Sequence, residues 1–98
     1  CISYLTIENK EKSATDLKDQ TPPWIFGCDI CQEICPWNNN AIETINKDYL
    51  PSEKLLSMTK NDWRELNEKQ FEDLFKGTAI YRTGFKTFKR NIEATDLL

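Results

Sequence analysis

Cys28-Asp29-Ile30-Cys31-Gln32-Glu33-Ile34-Cys35-Pro36 is a C-x2-C-x3-C-P stretch, and its reading decides what kind of fold the rest of the chain must support. A two-residue step is a tight turn that sets neighbouring thiolates side by side. The three-residue step to Cys35 begins a helical turn and aims the next sulfur elsewhere. Pro36 then fixes φ and removes a backbone donor. Just upstream, Trp24-Ile25-Phe26-Gly27 brings an apolar cluster up to Cys28, and Gly27 lets the backbone approach a bulky group closely. The fourth cysteine is Cys1, and the chain has no histidine. Mixed Cys/His zinc fingers and histidine-based catalytic dyads are therefore excluded. Any chemistry belongs to thiolates.

Thiolates suit iron–sulfur clusters and zinc alike, so the spacing carries the discrimination. In two-cluster ferredoxins, cysteines at C-x2-C spacing grip one [4Fe–4S] cluster, while the cysteine before proline reaches the other. Two such clusters need two full sets of four thiolates, and this chain has four cysteines in all. The missing thiolates are expected upstream, which makes the chain a C-terminal fragment of a larger cytoplasmic redox enzyme. Cys1 would fold back across the connector to join Cys28 and Cys31. Three rival readings stand beside this one. They are an all-cysteine zinc site that stabilises a structural module, a pair of disulfides in a small secreted domain, and a nucleic-acid interaction module with no redox role.

Outward from the motif, the expected fold is mainly α: an irregular ferredoxin-like cluster-binding loop followed by short helices of helical-repeat type. Residues 1–40 form the partial iron–sulfur region and residues 41–98 the C-terminal helical segment. Cys1–Glu8 is too short for periodicity to separate strand from helix. Residues 9–20 read as an exposed connector, a loop or frayed helix, closed by Thr21-Pro22-Pro23. Asn38 to Asp48 is polar and loop-like. Ser52 caps a helix through Met58, Thr59 with Asp62 opens one to Leu66, and Asn67 with Gln70 opens one to Lys76, with Gly77 as the stop. In that last helix Phe71, Leu74 and Phe75 share a face. Thr83 caps a final helix with Phe85, Phe88 and Ile92 as its buried stripe. Trp63, Phe71 and Phe75 sit at helical spacing and read as core.

The whole chain is 98 residues with 13 Lys and Arg against 16 Asp and Glu, a net charge of −3. That balance is not one of nucleic-acid binding overall, so a basic patch must be local. No run approaches the roughly 20 apolar residues of a membrane span. A domain of this size buries a modest core that a metal centre or partner reinforces.

Cys1-Ile2-Ser3-Tyr4-Leu5-Thr6-Ile7-Glu8, taken with Ile25-Phe26-Gly27 and the motif through Trp37-Asn38, resembles the epoxyqueuosine reductase family. The resemblance continues through Leu55-Leu56-Ser57-Met58-Thr59, residues 75–82 and Lys89-Arg90-Asn91, leaving the connector and the middle loop divergent. It implies a cobalamin-dependent enzyme with two [4Fe–4S] clusters that reduces epoxyqueuosine in tRNA to queuosine. Cys1, Cys28 and Cys31 would share one cluster, and Cys35 would be the single downstream ligand of the other. The cobalamin domain and its general acid lie outside this chain, so the segment alone is expected to be inactive and to deliver electrons from a low-potential donor. Ser3, Tyr4 and Thr6 would line the corrin, against core packing as the ordinary role of Tyr4. Lys86, Lys89 and Arg90 share one helix face, with Arg82 just before. A solvated face is the usual meaning of such a set, and contact with tRNA is the alternative that the family resemblance implies.

Overall fold

The computed structural model describes residues 1–96. Among these the chain is helical with no strand, in agreement with the mainly α reading. A π-helical turn, Tyr4–Glu8, comes first, followed by α1 (Ala14–Leu17) and α2 (Ile30–Glu33). Short 3-10 turns occupy Pro36–Asn38 and Lys47–Tyr49. The second half holds α3 (Glu53–Ser57), α4 (Lys60–Arg64), α5 (Glu68–Phe75), α6 (Ala79–Thr83) and α7 (Phe85–Asp96).

Side-chain caps start most of these helices, because helices this short have few internal hydrogen bonds and their free N–H groups need partners. Ser52 Oγ accepts from Leu55 N–H at 3.3 Å. At α4 the Thr59 N–H donates to Asp62 Oδ2 at 2.8 Å and Thr59 Oγ1 accepts from the Asp62 N–H at 3.3 Å. At α5 Asn67 and Gln70 exchange the same pair at 3.1 and 2.8 Å. All three starts match the sequence reading. Gly77 follows α5 with φ +86°, a conformation that closes a helix and that side chains resist.

The core is aromatic. Phe71, Phe75, Phe88, Ile92 and Leu66 are buried together, with Trp63, Phe26 and Ile25 packed at the edge. Phe88 stands 5.3 Å from Phe71, 5.2 Å from Phe75 and 5.9 Å from Trp63 between ring centroids, within the range of favourable tilted contacts. Helix α7 is the hub, touching the π-turn, α1, α4, α5 and α6.

Two expectations are corrected. Of the two alternatives for the connector the structure takes the helix, with a Ser13 and Asp16 capping box that opens α1, but it is not exposed throughout, since Leu17 is fully buried, as is Thr21 just beyond it. The apolar signal there is a single leucine, too sparse for periodicity to register. Thr83 is not a helix cap either. It ends α6, and Gly84 at φ +87° separates α6 from α7, a backbone state open to glycine. Thr83 is buried, and its hydroxyl finds no hydrogen-bond partner among the described residues.

Hydrogen bonds from the Ser13 and Thr59 backbone N–H groups, and next from their hydroxyls, hold the Asp16 and Asp62 carboxyls below the ordinary 3.8. A depressed folded value contributes stability above the unfolded value and loses it as pH falls through the folded one. Helical content and denaturant midpoint should therefore be level near neutrality and decline once pH drops below about 4. Asp62→Asn, followed by circular dichroism across pH, should flatten part of that decline.

Candidate metal centre

Cys1 and the Cys28 motif lie on segments that are distant in sequence, and two side chains join those segments. In the π-turn the Asn9 N–H donates to Tyr4 O at 3.0 Å, the wide register of such turns, which recur at functional sites. Thr6 is fully buried there. Its hydroxyl donates to Ile2 O at 2.8 Å and accepts from the Gly27 N–H at 2.9 Å, next door to Cys28. Ser3 Oγ lies 3.5 Å from Cys28 O, at the long limit of a hydrogen bond. Gly27 has φ +70°, so the turn into the motif needs glycine.

Asn91 on α7 is the second joining side chain. Its Nδ2 donates to Thr6 O and to Ile25 O, both at 2.8 Å, and the residue is fully buried. Arg90 beside it donates to Leu5 O at 2.7 Å, Asn9 O at 2.7 Å and Lys12 O at 3.2 Å. It also donates to Asn91 Oδ1, which orients the amide. Burial pulls the Arg90 guanidinium below its ordinary value, and arginine still stays charged at neutral pH.

Within the motif, α2 opens at Ile30, so Cys31 sits in its first turn and Cys35 follows it in extended backbone. Asn38 Nδ2 donates to Gln32 O at 2.8 Å and folds the Pro36 turn back on α2. All four cysteines are free thiols, Cys1 and Cys31 exposed, Cys28 and Cys35 half-buried. Beside them Ile34 and Trp37 are exposed, Trp37 to 91%. Among the described residues no three Cys, Asp or Glu side chains converge as a metal-holding group. The donor chemistry is all thiol and suits an iron–sulfur cluster, and this chain does not close a ligand set by itself.

The remaining predicted residues fall apart into different roles. Tyr4 is 55% exposed, which corrects core packing as its role. Thr6 is inside and used in joining the two segments. Arg82 pairs with Glu8 at 2.8 Å, and that hydrogen bond and charge hold the Glu8 carboxyl below its usual range. Lys89 Nζ donates to Arg64 O and Arg90 is committed to the carbonyls above, so neither is a free cation of the face. Lys86 makes no polar contact among the described residues. Sequence reasoning missed Lys10 and Lys12, which the fold brings beside Lys86 and Lys89 in a groove against α7. No spacing rule links them; α1 docking on α7 does.

A model of the 4Fe-4S double cluster binding domain matches residues 1–38. The chain is also 46% identical over 92 residues to the epoxyqueuosine reductase of Leadbetterella byssophila. Other epoxyqueuosine reductases are similar to it as well. Those of Cellulophaga algicola and Cyclobacterium marinum are 40% and 44% identical over 93 and 92 residues. These matches cover 94%, 95% and 94% of this chain and 30%, 30% and 29% of the relatives, so it spans under a third of their length. No solved structure matches it.

Alkylation of the metal-free, reduced protein without denaturant should modify all four thiols, Cys1 and Cys31 ahead of Cys28 and Cys35. Intact mass against time measures this, and a thiol that reacts only after unfolding would contradict the geometry.

Proposed function

We propose that this segment is the iron–sulfur electron-transfer portion of a cobalamin-dependent reductase that converts epoxyqueuosine to queuosine in tRNA. The observation that carries the reading is the cross-linking of the Cys1 turn to the Cys28 loop through Thr6, within a stretch matched by a double-cluster domain. Cys1, Cys28 and Cys31 hold one cluster and Cys35 is a ligand of the second, with the other thiolates supplied from outside this chain. The clusters supply single-electron transfer, and cobalamin supplies the chemistry at the epoxide. Residues 1–40 bear the cluster ligands and residues 41–98 support them. Ser3 and Tyr4, both partly open to solvent, face the corrin, whereas Thr6 serves from inside. The rest of the polypeptide covers Ile34 and Trp37 and keeps water from the clusters. The protein acts in the cytoplasm, fed by a low-potential donor. Among the described residues no helix is long and apolar enough to cross a membrane.

The full-length protein, reconstituted anaerobically, should carry about four iron and four sulfide per cluster, two clusters in all, with broad visible absorption. Cys28→Ser and Cys35→Ser should each lose about half the iron. Zinc without sulfide would replace this reading with the structural module.

The tRNA contact is the groove beside α7. Lys12 and Lys86 reach phosphate there, in a lining that also holds Glu11 and Glu93, while Arg82 is paired with Glu8 outside it. Lys10 and Lys89 flank the groove with their ammonium groups bonded to Thr83 O and Arg64 O. Binding of tRNA by the Lys12→Ala, Lys86→Ala double variant should show a log K against log salt slope shallower by about 1–2. An unchanged slope would move the contact elsewhere, and affinity that survives removal of the cysteines would favour a non-redox nucleic-acid module.

A further inference from the structure

Cys1 and the Cys28-Cys31 pair are separated by a connector that takes no direct part in holding them together. The short bonds that span the gap come from Thr6 and from Asn91, the latter far downstream on α7, with Ser3 Oγ to Cys28 O a longer one at 3.5 Å. Thr6 Oγ1 accepts the Gly27 N–H at 2.9 Å, one residue before Cys28. Asn91 Nδ2 divides its two hydrogens between Thr6 O in the first segment and Ile25 O in the second, both at 2.8 Å. Arg90 holds the same first segment through Leu5 O and its exit through Asn9 O, and it fixes the Asn91 amide by bonding its oxygen. Thr6 and Asn91 are fully buried, while Gly27 and Ile25 at the far ends of these bonds are half-buried, so losing either side chain loosens the join between the segments.

We propose that Thr6 and Asn91 are positioning residues that set the register between the Cys1 thiol and the Cys28-Cys31 pair, so that α7 governs assembly and retention of the cluster these cysteines share. The inference rests on the ligand assignment proposed above. A thiolate misplaced by an ångström no longer reaches its iron, and neither segment has a sheet or long helix of its own to hold it. A buried amide with two carbonyl acceptors is a rigid tie: both donors are used, and Arg90 occupies its acceptor. Cys35 lies beyond α2, outside this tie, so the second cluster does not depend on it in the same way.

The test uses the full-length protein with Thr6→Val, Thr6→Ser and Asn91→Ala. In the metal-free form, hydrogen exchange at the Gly27 amide should rise about tenfold in Thr6→Val and stay near wild type in Thr6→Ser, which keeps the hydroxyl. After reconstitution, Thr6→Val and Asn91→Ala should release one cluster's iron to a chelator about tenfold faster and alter one of the two reduced-cluster EPR signals. The other cluster and helical circular dichroism at ambient temperature should stay close to wild type, the melting midpoint should fall in Asn91→Ala because its carbonyl partners are left unpaired, and Thr6→Ser should behave as wild type. Equal iron loss from both clusters, or unchanged release and EPR in both Thr6→Val and Asn91→Ala, would overturn the proposal while leaving the iron–sulfur reading intact. Should Asn91→Ala fail to fold, the Thr6→Val and Thr6→Ser pair decides alone. A wild-type protein that takes up no iron or sulfide would instead overturn the iron–sulfur reading, and this proposal with it.

Discussion

The buried amide of Asn91 is the interaction on which the rest of this small structure depends. It satisfies two backbone carbonyls from separate segments at once, that of the fully buried Thr6 and that of the half-buried Ile25. Leaving a buried polar group unpaired costs about 1–3 kcal/mol, a large share of the stability of a domain this size. The bond is also geometrically exacting, because a planar amide with Arg90 on its oxygen has one orientation in which both hydrogens are used. A hydrophobic contact in the same place would stabilise without specifying register.

Arg90 extends the same logic. A guanidinium is suited to gathering several carbonyls from an irregular turn, since its donors are fixed in a fork and its charge persists under burial. It draws in Leu5, Asn9 and Lys12, and so wraps the entire segment after Cys1 around α7. The aromatic cluster of Phe71, Phe75 and Phe88 then anchors α7 itself from its other side. Two kinds of packing divide the labour along one helix. Rings bury apolar area toward α4 and α5, and polar side chains bind backbone toward the cysteine-bearing end.

The stretch from Ile34 to Leu56 behaves differently. Ile34, Trp37, Ile42, Ile45, Tyr49, Leu50 and Leu56 are all exposed, and the elements there are short turns and one capped helix. Local hydrogen bonds such as Asn46 Oδ1 accepting the Asp48 N–H give shape without burial. In sequence these exposed apolar residues follow directly on the thiol-bearing motif, with the half-buried Cys35 between Ile34 and Trp37.

Much was legible in the sequence because it rests on short-range rules. The caps at Ser52, Thr59 and Asn67 involve residues three apart, and the Phe71-Leu74-Phe75 face follows from helical period alone. The C-x2-C-x3-C-P spacing marks thiolate chemistry before any fold exists. What the tertiary structure decided involves partners far apart in the chain. Arg90 reads as one of a row of surface cations, and only docking of α7 on the first turn turns it inward. Thr6 reads as a residue beside a cofactor and proves to be the hydroxyl that joins two cysteine segments. Lys10 and Lys12 become neighbours of Lys86 only through α1 packing on α7. The physical reason is one and the same: periodicity and capping are local and leave a trace in neighbouring residues, whereas a side chain bonding a distant backbone carbonyl asks nothing of the identity of the residue it meets, and so leaves none.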